Sequence, residues 1–321
     1  MQLNGLHHVT AVSGRIGRNV DFYTRVLGLR LVKKSVNQDD VSAYHLFYAD
    51  KVGAPGTDMT FFDWPQIGRE QRGTDSIIGT AFRVDGQAAL DDWQARFDAL
   101  NVVHHGLEQF AGRGLLRFED PEGQRLMLLD DGGAAYEGEV WDGSDVPAAM
   151  ALRGFYASLL STPRLDHVAP ILTRLLNYRE VGRQPFPAFD GADAVIYETA
   201  AGGPGRQLWV VEQAGLRPAR LGAGGVHHLA LRVADAGEQI AWQKRIRDTG
   251  LPTSDVIDRY YFKSVYFRIS PGILFEIATD GPGFATDEDP AHLGERLALP
   301  PFLEPRRAAI EAGLKPIAVT Q

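Results

Sequence analysis

The chain has 321 residues, 23% charged and 44% apolar, which is more than a single hydrophobic core usually serves, so two domains are expected. Its net charge of −8 and pI of about 5.6 leave no basic stripe to neutralise a phosphate backbone, which excludes a nucleic-acid partner. Cysteine is absent, which excludes disulfides, thiolate metal sites and cysteine nucleophiles and requires any metal to be held by nitrogen and oxygen.

The N-terminus, Met1-Gln2-Leu3-Asn4-Gly5, carries neither a basic region nor an apolar run, so no secretory signal is expected. No later window nears the ~18 consecutive apolar residues of a membrane span. The expectation is a cytoplasmic protein with no membrane partner, with which a homo-oligomer is compatible. Leu6 to Val12 reads as a strand and Val20 to Leu27 as a helix, with Gly28 where a C-terminal glycine belongs. Ile77 to Val84 is the next such strand, after which Leu90, Trp93 and Phe97 recur at helical spacing. Asp131 to Ala149, rich in Gly, Asp and Ala, shows no periodicity and is expected to separate two domains. Leu152 to Leu160 is again a strand, followed by a helix around Val168 to Leu176. Val226 to Val233 repeats the strand, and Asp235 with Glu238 after it opens a helix with a capping-box pattern. Behind Pro300-Pro301, Leu299 to Leu314 is expected to append a terminal helix.

Strand, helix and further strands thus recur four times, and each unit closes on a turn. Phe118-Glu119-Asp120-Pro121-Glu122-Gly123 before Leu126-Met127-Leu128 matches Phe267-Arg268-Ile269-Ser270-Pro271-Gly272 before Leu274-Phe275-Glu276. Pro55-Gly56 and Pro204-Gly205 hold the same place in units one and three. One such unit cannot cover both faces of its own sheet, but two units edge to edge make a curved sheet around a cavity. The expected fold is α+β: four βαβββ modules forming two half-open β-barrel domains with helices outside. Residues 1–140 are expected to form an N-terminal domain from modules one and two. Residues 150–321 are expected to form a C-terminal domain from modules three and four with the helical tail.

Superimposing the units shows which positions differ. Gly5-Leu6-His7-His8-Val9-Thr10 matches Gly225-Val226-His227-His228-Leu229-Ala230, while Gly79 and Gly154 stand at the corresponding place in units two and three. Counted from the turn, Glu276 falls opposite Leu128, Trp209 and Thr60. Two units therefore present histidine, one a carboxylate, and the middle units neither. Two imidazoles and a carboxylate from separate strands form a facial triad, which leaves open positions on the metal and suits non-heme Fe(II), with Mn(II) the alternative. Glu276 lies in an otherwise apolar strand, where a carboxylate needs a cation or protonation to offset its desolvation, and a metal would supply the first. Strand alternation places Val9 and Leu229 under the helices and so turns His8 and His228 toward the cavity. His45, His104, His105, His167 and His292 have no echo among the repeats and are expected to be structural or at the surface.

Further segments carry a resemblance. Asp21-Phe22-Tyr23-Thr24-Arg25-Val26-Leu27-Gly28-Leu29 resembles the first helix and following strand of the vicinal-oxygen-chelate superfamily, the glyoxalase, bleomycin-resistance and extradiol-dioxygenase group. More narrowly, the chain resembles the hydroquinone ring-cleaving dioxygenases. His7-His8-Val9-Thr10, Leu31 to Asn37, Tyr44 to Tyr48, Asp258 to Arg268, Pro271 to Asp280 and Leu299 to Pro305 carry that likeness over nearly the whole chain. The resemblance implies that His8, His228 and Glu276 are the metal ligands. It also implies supporting roles for His7, Thr10, His227, Arg259 and Tyr266, although strict alternation points His7 and His227 away from the site.

Extradiol-type opening of a dihydroxylated aromatic ring by Fe(II) and O₂ is then the leading expectation, with a small aromatic substrate and O₂ as partners. Tyr266 would exchange hydrogen bonds with the reacting oxygens and Arg259 would stabilise negative charge. His227, with an ordinary pKa near neutrality, would shuttle a proton. The plainer alternatives are that Arg259 pairs with Asp255 or Asp258 and that Tyr266 only packs. One rival is a glyoxalase-type isomerase, which tends to fill four protein positions on its metal; Thr60 in place of a fourth ligand argues against it. The other is a non-catalytic binding protein of the bleomycin-sequestering kind, whose chains tend to be shorter and to lack a complete triad.

Overall fold

The computed structural model describes residues 1–189 and 191–317; the last residues of the expected C-terminal domain, 318–321, lie outside the described residues. Module one comprises β1 (Leu6–Ser13), α1 (Ile16–Asp21), β2 (Arg30–Asn37), β3 (Asp40–Ala49) and β4 (Asp58–Asp63). Module two comprises β5 (Ser76–Val84), α2 (Gly86–Leu100), β6 (His104–Phe110), β7 (Arg113–Glu119) and β8 (Arg125–Asp130). Module three runs β9 (Phe155–Thr162), α3 (Leu165–Pro170), β10 (Arg179–Pro185), β11 (Asp193–Glu198) and β12 (Gln207–Glu212). Module four runs β13 (Val226–Val233), α4 (Ala236–Asp248), β14 (Ile257–Asp258), β15 (Lys263–Ser270) and β16 (Ile273–Thr279), with α5 (Arg307–Gly313) in the tail. The expected βαβββ unit is present four times. Among the described residues no helix is long and apolar enough to cross a membrane.

Helix details follow the local sequence. The helices of modules one and three each end in a wider turn, Phe22–Val26 and Ile171–Leu175. Gly28 follows the first at φ +71°, and a Cβ there would lie 2.6 Å from Val146 Cγ2, so a left-handed exit and a tight contact both select glycine. The Asp235 carboxylate accepts from the Glu238 N–H at 2.9 Å, as the capping box requires. The tail helix is shorter than expected, because residues 304–306 form a separate tight turn at Pro305.

The strands form two eight-stranded sheets, ordered β14-β15-β16-β13-β1-β4-β3-β2 and β10-β11-β12-β9-β5-β8-β7-β6. This corrects the expected pairing of consecutive modules: module one shares its sheet with module four, and module two with module three. The joins are antiparallel, β1 on β13 and β5 on β9. The connecting segments supply a physical reason. The β4–β5 and β12–β13 connections run side by side, bridging at Arg69–Ala223, Gln71–Arg220 and Thr74–Pro218. Gly222 permits this approach, since a Cβ there would sit 2.5 Å from the Arg69 carbonyl carbon. With both connections pinned together, modules two and three close into one sheet and the two ends of the chain close into the other.

Val9 and Leu229 lie in the core beneath the helices with Tyr23 and Trp242, as alternation predicts. The hollow of the sheet from modules two and three holds Ile78, Phe110, Met127, Phe186 and Trp209 in one apolar cluster. Trp209, the counterpart of Glu276, is 1% exposed there. The hollow of the other sheet is lined differently.

Candidate metal centre

His8, His228 and Glu276 converge inside the sheet made by modules one and four. Among the described residues they are the group of potential ligands whose donor atoms all lie within 4.8 Å of one another. His8 Nε2 stands 3.2 Å from His228 Nε2 and 3.2 Å from Glu276 Oε2, and His228 Nε2 stands 3.1 Å from that oxygen. All three residues are buried. Register explains the convergence. Thr10 pairs with His228 across the β1–β13 join, and Ala230 pairs with Glu276 on the parallel β13–β16 edge.

The neighbouring histidines escape the alternation rule through two bulges. Leu6 opposes Leu231 and Val9 opposes Leu229, so His7 and His8 together face Ala230. Thr10 opposes His228 and Ala11 opposes Val226, which leaves His227 as the extra residue on β13. Each bulge turns a second imidazole back toward its neighbour: His7 Nδ1 lies 3.0 Å from His8 Nδ1, and His227 Nδ1 lies 2.8 Å from His228 Nδ1.

The hydrogen bonds assign the tautomers on one side. Thr279 O, which can only accept, lies 3.1 Å from His7 Nε2, so that nitrogen carries the proton. Burial, with His8 beside it, pushes the His7 pKa down to about 3, so the ring is neutral and its Nδ1 accepts from His8 Nδ1–H. The lone pair of His8 therefore lies on Nε2, at the centre of the group. The second pair has the same arrangement, and burial with His228 beside it likewise pushes His227 down to about 3. His227 is thus uncharged, with its Nδ1 facing that of His228.

Glu276 is held from behind. Ser264 Oγ donates to Glu276 Oε1 at 2.5 Å, while the buried Oε2 has no hydrogen-bond partner. Two imidazole nitrogens and one orphaned carboxylate oxygen thus face a common point. Donors ~2.1 Å from an ion and mutually at right angles stand about 3.0 Å apart, close to the spacing seen, so the donor set fits a metal ion. Each imidazole is also oriented by a partner on its other nitrogen, as metal-binding histidines usually are.

The cleft in front of this group holds about 470 Å³, counting space open to solvent, and its lining includes His8, His228, His45, Phe47, Phe62, Arg259, Tyr261, Phe262 and Tyr266. Tyr266 pairs with Glu276 across β15–β16 and sets its ring edge-on to His228 at 5.5 Å. Burial, then the charge of Glu276, pushes its phenol well above the ordinary tyrosine range, so it remains protonated. Arg259 lies over the Tyr266 ring and is clamped in two bonds by Asp39, at 3.1 and 2.9 Å. Neither Asp255 nor Asp258 is that partner: Asp255 pairs with Arg247, and Asp258 caps the Tyr260 N–H. Thr10 is fully buried and outside the cleft lining, with its hydroxyl 2.7 Å from that of Thr60.

His45 and Ser264 were not singled out by the sequence. His45, expected to be structural or at the surface, lines the cleft and stands 3.0 Å from the Thr60 hydroxyl. No repeat echoes it, and only its place two residues before Phe47 on an alternating strand could have signalled it. Ser264, likewise two residues before Tyr266, carried the same faint signal.

Residues 5–128 match the Glyoxalase/Bleomycin resistance protein/Dioxygenase superfamily. A Bacillus subtilis protein named as the ring-cleaving dioxygenase MhqA is 45% identical over 318 residues, 99% of this chain and 100% of that protein. The chlorohydroquinone/hydroquinone 1,2-dioxygenase of Sphingobium indicum is 32% identical over 94% of this chain and 93% of its own length. The crystal structure of a Bacillus subtilis protein described as a dioxygenase superimposes with a TM-score of 0.89 at 35% identity, covering 100% of this chain and 99% of that one.

Proposed function

The chain belongs to the Glyoxalase/Bleomycin resistance protein/Dioxygenase superfamily, and from that premise we propose that it is a ring-cleaving dioxygenase that opens a hydroquinone or catechol-type ring with O₂. The observation that carries this reading is the three-donor group in a cleft walled by aromatic residues. Thr60, not a fourth ligand, stands where module one would mirror Glu276: Thr10 pairs with Thr60 as Ala230 pairs with Glu276. A three-donor face leaves positions for two reactants at once. The hydroquinone dioxygenase relative supports the substrate class.

His8, His228 and Glu276 would hold Fe(II), with Mn(II) the alternative. The bound ion would bring a ring hydroxyl and O₂ together and carry electrons between them. The protein's own groups set the conditions. His7 and His227 keep the two ligand lone pairs aimed inward, and Ser264 occupies one Glu276 oxygen so that the other stays free. Tyr266, held protonated, donates a hydrogen bond to an oxygen of the ring, and Arg259 adds fixed positive charge at the mouth. Phe47, Phe62, Phe262 and Tyr261 stack against the ring and keep water out.

Oxygen uptake is the direct test. Protein purified anaerobically and loaded with Fe(II) is expected to consume O₂ with hydroquinone or catechol, and to leave the glutathione–methylglyoxal hemithioacetal untouched. Turnover of that hemithioacetal without O₂ consumption would replace the dioxygenase by an isomerase.

A further inference from the structure

The site is built on a pseudo-two-fold relation between modules one and four, and one of its positions has no part in the chemistry described so far. Across β3–β4, Phe47 pairs with Thr60; across β15–β16, Tyr266 pairs with Glu276. Phe47 is therefore the counterpart of Tyr266. Two residues earlier on the same faces, His45 is the counterpart of Ser264. Ser264 hydrogen-bonds Glu276, and His45 Nε2 lies 3.0 Å from Thr60 Oγ1 in the same manner. In module four this corner carries the carboxylate. In module one it carries a neutral chain, Thr10–Thr60–His45, that ends at the cleft.

We propose that His45 is the residue that recognises the second hydroxyl of the bound ring, the one not held at the metal, and so selects dihydroxylated over monohydroxylated rings. This rests on the ring-cleaving reading above. His45 lines the cleft, yet it does not belong to the converging donor group, so it faces the substrate and not the ion. Its bond to Thr60 engages Nε2, which leaves Nδ1 for the cleft. The ring is wedged between Phe47 and Phe62, with centroids 4.0 and 4.4 Å away, so that nitrogen is fixed in place before a ligand arrives. Burial keeps the imidazole neutral. In either neutral tautomer Nδ1 finds a partner in a hydroxyl, which both donates and accepts. Thr10, fully buried behind Thr60, acts through this chain as a positioning residue.

The test is ligand binding to the Fe(II)-loaded protein without O₂, followed by calorimetry, with hydroquinone and phenol as probes. His45→Phe keeps an aromatic ring between Phe47 and Phe62 but removes both nitrogens, and His45→Asn keeps a polar atom near the place of Nδ1. Loss of one neutral hydrogen bond weakens binding roughly 3- to 10-fold. The expected result is that loss for hydroquinone in His45→Phe, an unchanged affinity for phenol, recovery of most of the hydroquinone affinity in His45→Asn, and unchanged metal content throughout. Should His45→Phe fail to fold, Thr60→Val, which frees the imidazole at nearly constant volume, is expected to shift the same hydroquinone-to-phenol ratio in the same direction. An equal loss for both probes, or none for hydroquinone, overturns the assignment while leaving the dioxygenase reading in place. A wild-type protein that binds neither probe overturns both.

Discussion

Around Tyr266 and Arg259 the residue scale decides between chemistry and packing. Tyr266 faces the cleft and stays protonated under the influence of burial and Glu276. A residue serving only to fill the core would have no reason to line the cleft beside His228. Tyr266→Phe removes one hydroxyl and keeps the ring, so metal content and folding are expected to persist while turnover falls. Losing a proton-transfer partner costs roughly 10²- to 10⁴-fold; Arg259→Ala is expected to act in the same direction, and steady-state rates alongside metal analysis check both. Unchanged turnover of Tyr266→Phe with saturating hydroquinone would return it to a packing role. The triad itself was legible in the sequence because repeats expose an exception: a doubled histidine twice at one position, and an acid in an apolar strand. His7 and His227 conflict with alternation only because bulges leave no trace in a single sequence, and nothing in the sequence marks His45, which has no counterpart histidine in module four.

Beyond single residues, one element holds the wall of the cleft in place. Lys33, on β2, is fully buried and reaches into the segment after β16, where its ammonium meets Asp287 at 2.7 Å and also bonds Glu288. The same Asp287 accepts from the Tyr261 hydroxyl at 2.9 Å, and Lys33 lies against the Tyr261 ring. Arg30 adds bonds to the carbonyls of Pro290 and Ala291. The C-terminal segment is thus tied across module one, and Tyr261 is fixed in the lining of the cleft. Removing one partner of a buried ion pair strands the other, at a cost of roughly 3–5 kcal/mol. Lys33→Met is expected to lose about that much stability in urea titration, and a loss under 1 kcal/mol would show that the strap is dispensable. The strap is not legible from periodicity, since its charges lie in a segment without regular structure. The modules were legible, because hydrophobic period and turn residues are local properties.

At the scale of the whole molecule, the sequence marked four units but not which of them join. That choice depends on contacts between segments far apart in the chain, the paired connections at Arg69–Ala223 and Thr74–Pro218. The consequence is that each sheet needs strands from both halves of the chain. Cutting the chain at a protease site inserted between the exposed Ala148 and Ala149 is expected to leave the two pieces co-eluting in native buffer with metal retained. Independent halves that separate on a sizing column would restore the division into consecutive domains. The central claim is that one metal sits between the two ends of the chain, on His8 from module one and on His228 and Glu276 from module four. Metal content per chain of anaerobically purified protein tests it most directly, compared between the wild type and Glu276→Ala, with circular dichroism to confirm the fold. The account predicts one ion per wild-type chain and a folded Glu276→Ala protein with little or none; full occupancy in Glu276→Ala would contradict it.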